Sequence, residues 1–518
     1  MKQRQYEHYV DELEQARLQA EEDLDDLETV APNTEHVEAE DAEIGSEPSE
    51  EFVHFDPETV QHRDFDIGPE LGLSSKVTET EMSAVRIPDE QILYSKEGEN
   101  PDDIRILLCA HTGKAAYNIK GTTIASAFHR KMYQTQQHMS ADELNSFRTK
   151  YRNLSVVIID EISMVGNNML SFINNRLQQL TGRKQDFGGI SIIAVGDLYQ
   201  LPPVGDKWIF KDLSNPGQSL ANNLWQEHFY MHELSEIMRQ KDDLRFAEML
   251  NRLRENKMTD EDKELISQRF IRQDSQDYPK EAPHLFIENK FVDCFNNNLI
   301  ENLSTNKVTV RADTDVLSQT KLSASVKLKL VQNLPENPAS TGQLRTNLVI
   351  AVDMLYDISV NLDVTDGLTN GASCVVKYIE YKESQLRPAI VWVLFADSSI
   401  GISRRHQYRH LFSTNVNTAW TPVFEAKRTF AYNRKTYERV QFPLQPSAGK
   451  TIHKAQGATL TKAVISLAQT KQRKIPHIHY VALSRVRSLD GLFILDFNEK
   501  SLSKDEAVDR EMERLREN

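Results

Sequence analysis

Three uninterrupted apolar runs constrain this chain more than anything else in it: Arg105-Ile-Leu-Leu-Cys-Ala110, Ser155-Val-Val-Ile-Ile159 and Gly189-Ile-Ser-Ile-Ile-Ala-Val195. Each stops at a polar cluster: HTGKAA after the first, Asp160-Glu161 after the second, Gly196-Asp197 after the third. Val, Ile and Leu without alternation mark strands covered on both faces, and helical patterns separate the runs. The expected fold class is α/β, a doubly wound parallel sheet with its polar residues at the carboxyl ends of the strands, where such sheets put their sites.

At 518 residues and 39% hydrophobic, the chain is long enough for two or three packed domains. Cys109, Cys294 and Cys374 lie far apart with no CxxC pair, which suggests neither a disulfide framework nor a zinc ribbon and fits a reducing compartment. The first residues lack an apolar signal core and no run of ~18 apolar residues occurs, arguing against secretion and membrane spanning. The net charge of −16 conceals an asymmetry: residues 1–100 hold 7 Lys+Arg against 29 Asp+Glu, while the remainder holds 54 against 48. An acidic tail of −22 therefore precedes a body of +6 that suits a polyanion. Within the tail, Tyr6, Val10, Leu13, Arg17, Ala20, Leu24 and Leu27 make a heptad-like stripe, too short for more than a frayed helix. From about Ala31 to Glu99 the composition predicts disorder, with mimicry of DNA phosphate as the alternative.

The chemistry gathers at the ends of the runs. In VVIIDEISMV (156–165) a buried strand presents Asp160 to a Mg²⁺ ion and leaves Glu161 to orient and deprotonate a water attacking a γ-phosphate, with Ser163 holding the geometry; a helix start that favours acids is the structural alternative. In IIAVGDLYQLPPV (192–204), Gln200 follows Gly196-Asp197 and can bond the γ-phosphate or the attacking water, although GDxxQ alone also describes a turn. Arg239, in EIMRQ, is a candidate arginine finger or a surface ion pair. AGKTIHKAQGAT (448–459) offers hydroxyl, imidazole and backbone donors for sugar-phosphate, and HYVALSRV (479–486) adds Arg485. GKT at 449–451 lacks the second glycine five residues upstream, where Leu444 stands, and is not a phosphate loop.

Taken in order, HTGKAA, TTIASAFH, DEISMV, GDLYQLPPV, EIMRQ, TIHKAQGATL and YVALSRV resemble the superfamily 1 DNA helicases of the petite-integration-frequency (Pif-one) type, over roughly residues 98–497. NPDDIRILL and MVGNNMLSFINNRLQ look most like the Helitron-associated branch. The resemblance implies two RecA-like lobes and ATP-driven 5′-to-3′ unwinding in the nucleus, on single-stranded and duplex DNA, with ATP as substrate and Mg²⁺ as cofactor. It places Asp160, Glu161, Gln200, Arg239 and Arg485 in catalysis, with Ser163, Gly196, Asp197, Gln456 and Gly457 around the phosphates. Thr112, Gly113, Lys114, Thr122, Thr123, His453 and Lys454 fall along the DNA strand. Repair, recombination and telomere upkeep are the roles the family suggests.

The domain layout expected on this basis is a tail over 1–97, a first lobe over 98–275, a second lobe from 276–304 and 441–500, an SH3-like insertion over 305–440, and a charged helix or tail over 501–518. Lys427, Arg428, Phe430, Tyr432, Arg434, Lys435, Tyr437 and Arg439 alternate cations with aromatics in that insertion, suiting either a DNA strand or a sheet with one wet face. One departure stands out. Helicases of this type open with GGAGTGKS or similar ahead of the first motif, and nothing between Met1 and Asn100 has the form GxxxxGK[ST]. Without that loop most donors to the β- and γ-phosphates are missing. His111 and Ala125 are lesser departures, and a non-catalytic DNA-binding scaffold or decayed transposon-derived fragment is the alternative reading.

Overall fold

The structure, a computed structural model, describes residues 104–130, 139–212, 223–234, 236–317, 323–381, 387–470 and 474–517, with the backbone of a two-residue strand, Glu43–Ile44. The N-terminal stripe and the rest of the acidic segment lie outside the described residues. Among the described residues no helix is long and apolar enough to cross a membrane.

The first lobe is a parallel sheet of β1 (Ile106–Ala110), β2 (Thr122–Thr123), β3 (Val156–Asp160) and β4 (Ser191–Ala194), in the order β2-β1-β3-β4. Register pairs Leu108 with Ile158 and Ile158 with Ile193. Cys109, Val157 and Ile159 point into the main core. There they meet Leu170, Ile173 and Leu177 from the inner stripe of α3 (Asn167–Thr181), at helical spacings of three and four. The opposite face is thin, with Ile106, Leu108 and Ile158 packed mainly against Ile119 and Val156. One of the three runs departs from expectation: β4 has a single neighbour among the described residues, and Ile193 is 49% and Val195 41% exposed.

The second lobe repeats the plan with β5 (His284–Phe286), β6 (Gly449–Thr451), β7 (Ala463–Ser466) and β8 (Leu492–Asp496), parallel in the order β6-β5-β7-β8. GKT is thus the strand β6. Its core takes in Phe246, Met249, Leu250 and Leu253 of α4 (Leu244–Arg254) and Ile266 of α5 (Asp260–Ser267). Residues 244–267, expected in the first lobe by their place in the chain, thus pack their apolar stripe in the core of the second.

Between Lys307 and Pro446 lies an antiparallel β insertion. A five-stranded sheet runs Thr421–Val423, Pro388–Phe395, Ser373–Tyr381, Leu355–Ile358, Leu444–Pro446, and a second joins Ala426–Tyr432, Lys435–Gln441 and Asp313–Leu317 to the strand at Glu43–Ile44. The cation–aromatic alternation belongs to this second sheet and packs inward: Phe430 and Tyr437 stack at 5.5 Å, and Arg439 is buried, donating to Thr314 Oγ1, Thr341 Oγ1 and the Leu344 carbonyl. These aromatics are core, and of the cations only Arg434 and Lys435, at the turn, are fully exposed.

After β8 the chain crosses back. The segment expected as a charged helix or tail forms the helix α6 (Glu506–Glu517), whose Val508, Met512 and Leu515 complete the first-lobe core at spacings of four and three. Asp505 accepts from Trp208 Nε1 at 2.8 Å, Glu511 accepts from Trp225 Nε1 at 2.7 Å, and Arg516 pairs with Glu233 at 3.0 Å.

Candidate active site between the lobes

The carboxyl ends of β1 and β3 face the second lobe across a cavity lined by Thr112, Lys114, Asp160, Glu161, His453, Lys454, Gln456 and Gly457, among others. Of the residues expected at DNA and at phosphate, Thr112, Lys114, His453, Lys454, Gln456 and Gly457 share this cleft, while Thr122, Thr123, Gly196 and Asp197 do not line it. β3 delivers Asp160 at its last position, and Glu161 turns the chain through a left-handed conformation, φ +51°, into a short 3₁₀ turn that buries Ser163. A non-glycine residue held at positive φ stores strain that surrounding structure must support. Here Ile162 N–H donates to the Val195 carbonyl, and Gly196 leaves room, since a Cβ there would lie 2.8 Å from Ile162 N.

Burial, then the neighbouring Asp160, raises the pKa of Glu161, while Arg485 and Arg239 oppose the shift; burial also raises Asp160. Oε2 of Glu161 is buried without a hydrogen-bond partner, as is Nη1 of Arg485. The two arginines are close enough to act on Glu161 electrostatically, yet neither forms an ion pair with it at contact distance. Arg485 donates to the Val481 carbonyl and Ser484 Oγ, and burial lowers its pKa to about 10. Arg239 donates to Thr459 Oγ1 at 3.0 Å and the Ser484 carbonyl at 3.3 Å. Both guanidiniums are thus held by the second lobe and aimed at a first-lobe carboxylate.

Gln456 closes the gap between lobes, donating from Nε2 to Ser163 Oγ at 3.3 Å and Gln200 Oε1 at 3.2 Å. Gly457, at φ +73°, follows it because a Cβ would sit 3.2 Å from Glu161 Oε1. The Asp197 carboxylate accepts from Tyr480 O–H at 3.1 Å and lies 3.9 Å from Arg254, and it is near enough to Glu161 to add to the rise in that group's pKa. Tyr480 and Arg254 were missed by the sequence reading. Tyr480 sits inside the HYVALSRV motif, so position alone could have flagged it; Arg254, at a helix end, carries no such signal.

Along the cleft, the Thr112 and Thr123 hydroxyls cap the helices Gly113–Asn118 and Ile124–Ala127, accepting from Ala115 N–H and Ser126 N–H. Thr123 is fully buried and Thr122 half-buried beside it. Gly113 is pressed against the insertion, where a Cβ would lie 2.3 Å from Asn361 Oδ1. Burial, then Lys450, lowers the Lys114 pKa; burial brings Lys454 to about 8 and His453 to about 4, which keeps that imidazole neutral at pH 7. Lys450 is spent on Asp357 at 2.8 Å, whereas Lys454 donates to the Gln445 side chain.

The donor set suits a divalent cation bound to phosphate: Asp160 at a strand end, and one orphaned oxygen on Glu161 facing two arginines.

The PIF1-like helicase family model matches residues 99–264. Among curated proteins, the ATP-dependent DNA helicase PIF1 of Danio rerio is 26% identical over 409 residues, covering 77% of this chain and 55% of its own length. That of Candida albicans is 24% identical over 472 residues, covering 78% and 50%. Pif1 of Bdellovibrio bacteriovorus is 25% identical, covering 79% and 82%. The chain thus spans about half the length of the eukaryotic relatives it matches. Among solved structures, a Bacteroides Pif1 helicase in complex with ADP-AlF3 and ssDNA aligns with a TM-score of 0.58 at 22% identity, over 83% of this chain and 90% of that one. The Candida albicans Pif1 helicase aligns at 0.58 and 23%, over 83% and 91%. These two share the fold of paired RecA-like lobes. Ordered motifs, fold and the family match over residues 99–264 converge on similarity to the PIF1-like helicases.

Proposed function

We propose that this chain is the motor body of an ATP-dependent DNA helicase that moves 5′ to 3′ on single-stranded DNA. The observation that carries the reading is the cleft itself, in which Asp160, Glu161 and Gln200 of one lobe meet Gln456, Arg239 and Arg485 of the other. In the hydrolysis this arrangement suits, water attacks the γ-phosphorus, the bond to the β–γ bridging oxygen breaks, and Glu161 takes the proton. Arg239 and Arg485 offset charge on the departing phosphoryl oxygens. Asp160 would hold Mg²⁺, which when bound adds positive charge beside the phosphates. Gln456 reports nucleotide state across the cleft, because its amide bonds both Gln200 and Ser163. Lys114 and Lys454, at the cleft, are the cations for the DNA backbone, and a nuclear location accords with a DNA substrate and eukaryotic relatives.

Residues 1–100 contain no GxxxxGK[ST], so the chain by itself lacks the backbone cradle for ATP, and turnover requires that loop from elsewhere. The test joins a strand, the loop GGAGTGKS and a helix ahead of residue 98. Single-stranded DNA should then stimulate ATP hydrolysis, and Glu161→Gln should abolish it. A completed chain that binds DNA yet shows no Glu161-dependent turnover would establish the scaffold reading instead. The finer placing in the Helitron-associated branch rests on NPDDIRILL and MVGNNMLSFINNRLQ alone.

A further inference from the structure

A groove on the first lobe gathers cations that the cleft does not use. It runs beside the C-terminal end of α3, where the helix Ala141–Lys150 packs against it, and is lined by Arg148, Arg176, Arg183 and Lys184 with the amides of Asn175 and Gln178. Among the described residues no carboxylate lines it. Arg176 is its floor: buried, it donates from Nε to the Phe128 carbonyl at 3.1 Å and from Nη1 to the Gln179 side chain at 2.7 Å. Arg148 donates from Nε and Nη2 to the Gln179 carbonyl, one of those a helix leaves open at its end. Arg183 and Lys184 stand exposed just past the Gly182 cap, in a turn held by Gln178 Nε2, which donates to the Lys184 carbonyl at 3.2 Å.

Among the described residues, none of Arg148, Arg183 and Lys184 has a carboxylate within ion-pair distance. Acids on the same elements are engaged elsewhere: Glu143 accepts from Ser140 N–H at 2.7 Å in a capping box and acts electrostatically on Arg176, and Asp186 pairs with His228 at 2.9 Å. Three like charges around one groove repel each other until an anion lies among them. We propose that this groove is a second nucleic-acid site, which takes the sugar-phosphate backbone of duplex DNA. The exposed Asn175 amide suits the same phosphate and sugar oxygens.

Position favours a duplex over a single strand. β3 and β4 run parallel, so α3, which joins them, runs the other way and ends at the amino ends of the strands, opposite the cleft. Its 15 residues span roughly 22 Å. A duplex is a stiff rod with one charge per ~1.7 Å, so an arm joined to a strand in the cleft covers that distance in roughly six base pairs. A flexible single strand would have to be ordered over the whole way. The choice of duplex DNA as occupant rests on the motor reading given above; the anion site rests on the three uncompensated cations.

The experiment measures binding of the full chain, by fluorescence anisotropy over a range of salt, to a single-stranded oligonucleotide, to the same strand joined to a duplex arm, and to the blunt arm. In the double variant Arg183→Glu with Lys184→Glu, affinity for both duplex probes should fall at least ~10-fold and the slope of log affinity against log salt should drop by about 2, with single-strand affinity unchanged. Arg183→Lys with Lys184→Arg keeps both charges and should bind as the parent does. Unchanged affinity for both duplex probes, or an equal loss for the single strand, overturns the proposal. So does a charge reversal that abolishes binding of polyglutamate but not of DNA, which would assign the groove to an acidic peptide. Lys454→Met, in the cleft, is measured in parallel and should weaken the single strand but not the blunt arm. If it leaves the single strand unaffected, the motor reading fails, while loss of the blunt arm on charge reversal at 183 and 184 still establishes the groove.

Discussion

Replacing Trp225 by Phe isolates one of the contacts that tie α6 to the first lobe. The indole Nε1 donates to buried Glu511 at 2.7 Å, while the ring stacks on Phe229 at 4.5 Å. Phenylalanine keeps the stack and removes the donor. Glu511 also accepts three bonds from Arg514, but those lie within the helix and leave with it, so they do not resist undocking. A hydrogen bond to a charged group contributes about 1.5–3 kcal/mol. Because Arg514 keeps the carboxylate partnered in the variant, the lower end applies, about 1.5 kcal/mol, or roughly tenfold in the docking equilibrium. Amides of Glu506–Glu517 should therefore exchange about tenfold faster in Trp225→Phe, with α3 amides unchanged. If α6 exchange does not move, or if both helices accelerate together, the indole bond is not what fastens the helix and the reasoning fails.

Three further outcomes are expected. Gly457→Val forces a β-branched residue to φ +73° and presses on the Glu161 carboxylate; it should cost about 1–2 kcal/mol in thermal denaturation and, in a loop-completed chain, lower turnover while leaving DNA binding intact. Lys454 has its pKa depressed to about 8, so it is charged at pH 7 and loses that charge as pH rises through 8; single-stranded DNA affinity should fall between pH 7 and 9, Lys454→Arg should flatten the profile, and Lys454→Met should reduce the salt slope by about 1. Asp262, held at about pKa 2 first by Arg252 and then by the Thr259 backbone, contributes stability that is present above the ordinary carboxylate pKa and lost as pH falls toward 2; discounted for the partly exposed Arg252, Asp262→Asn should cost about 1–2 kcal/mol at pH 7 and show a shallower acid transition.

The strand ends were legible in the sequence because burial and chemistry use the same letters there. Val156 to Ile159 had to be covered, and two adjacent carboxylates end the run, so one string marked both the strand and the candidate site. What sequence order could not supply was which body a helix packs against. Phe246, Met249, Leu250 and Leu253 announce an amphipathic helix but not the core that receives it, and Val508, Met512 and Leu515 likewise read as part of a charged helix or tail until their partners are seen. The aromatic alternation around Phe430 left two readings open for the same reason, since a period of two is common to a DNA-facing strand and to a strand over a core. At β4 the run itself was read correctly as strand, and only a second neighbour is lacking among the described residues.

The return of α6 to the first lobe alters the mechanics of the whole body. A lobe hung on a single strap can swivel as well as swing. Here the outgoing strap passes Glu233 and the returning one leads into α6, whose last turn carries Arg516, and those two residues are bonded to each other, so the outgoing strap is tied to the helix in which the returning one ends. Two connections fastened to one body act as the pin of a door. Twist is resisted, and any opening of the lobes is greatest at the rim farthest from that pin.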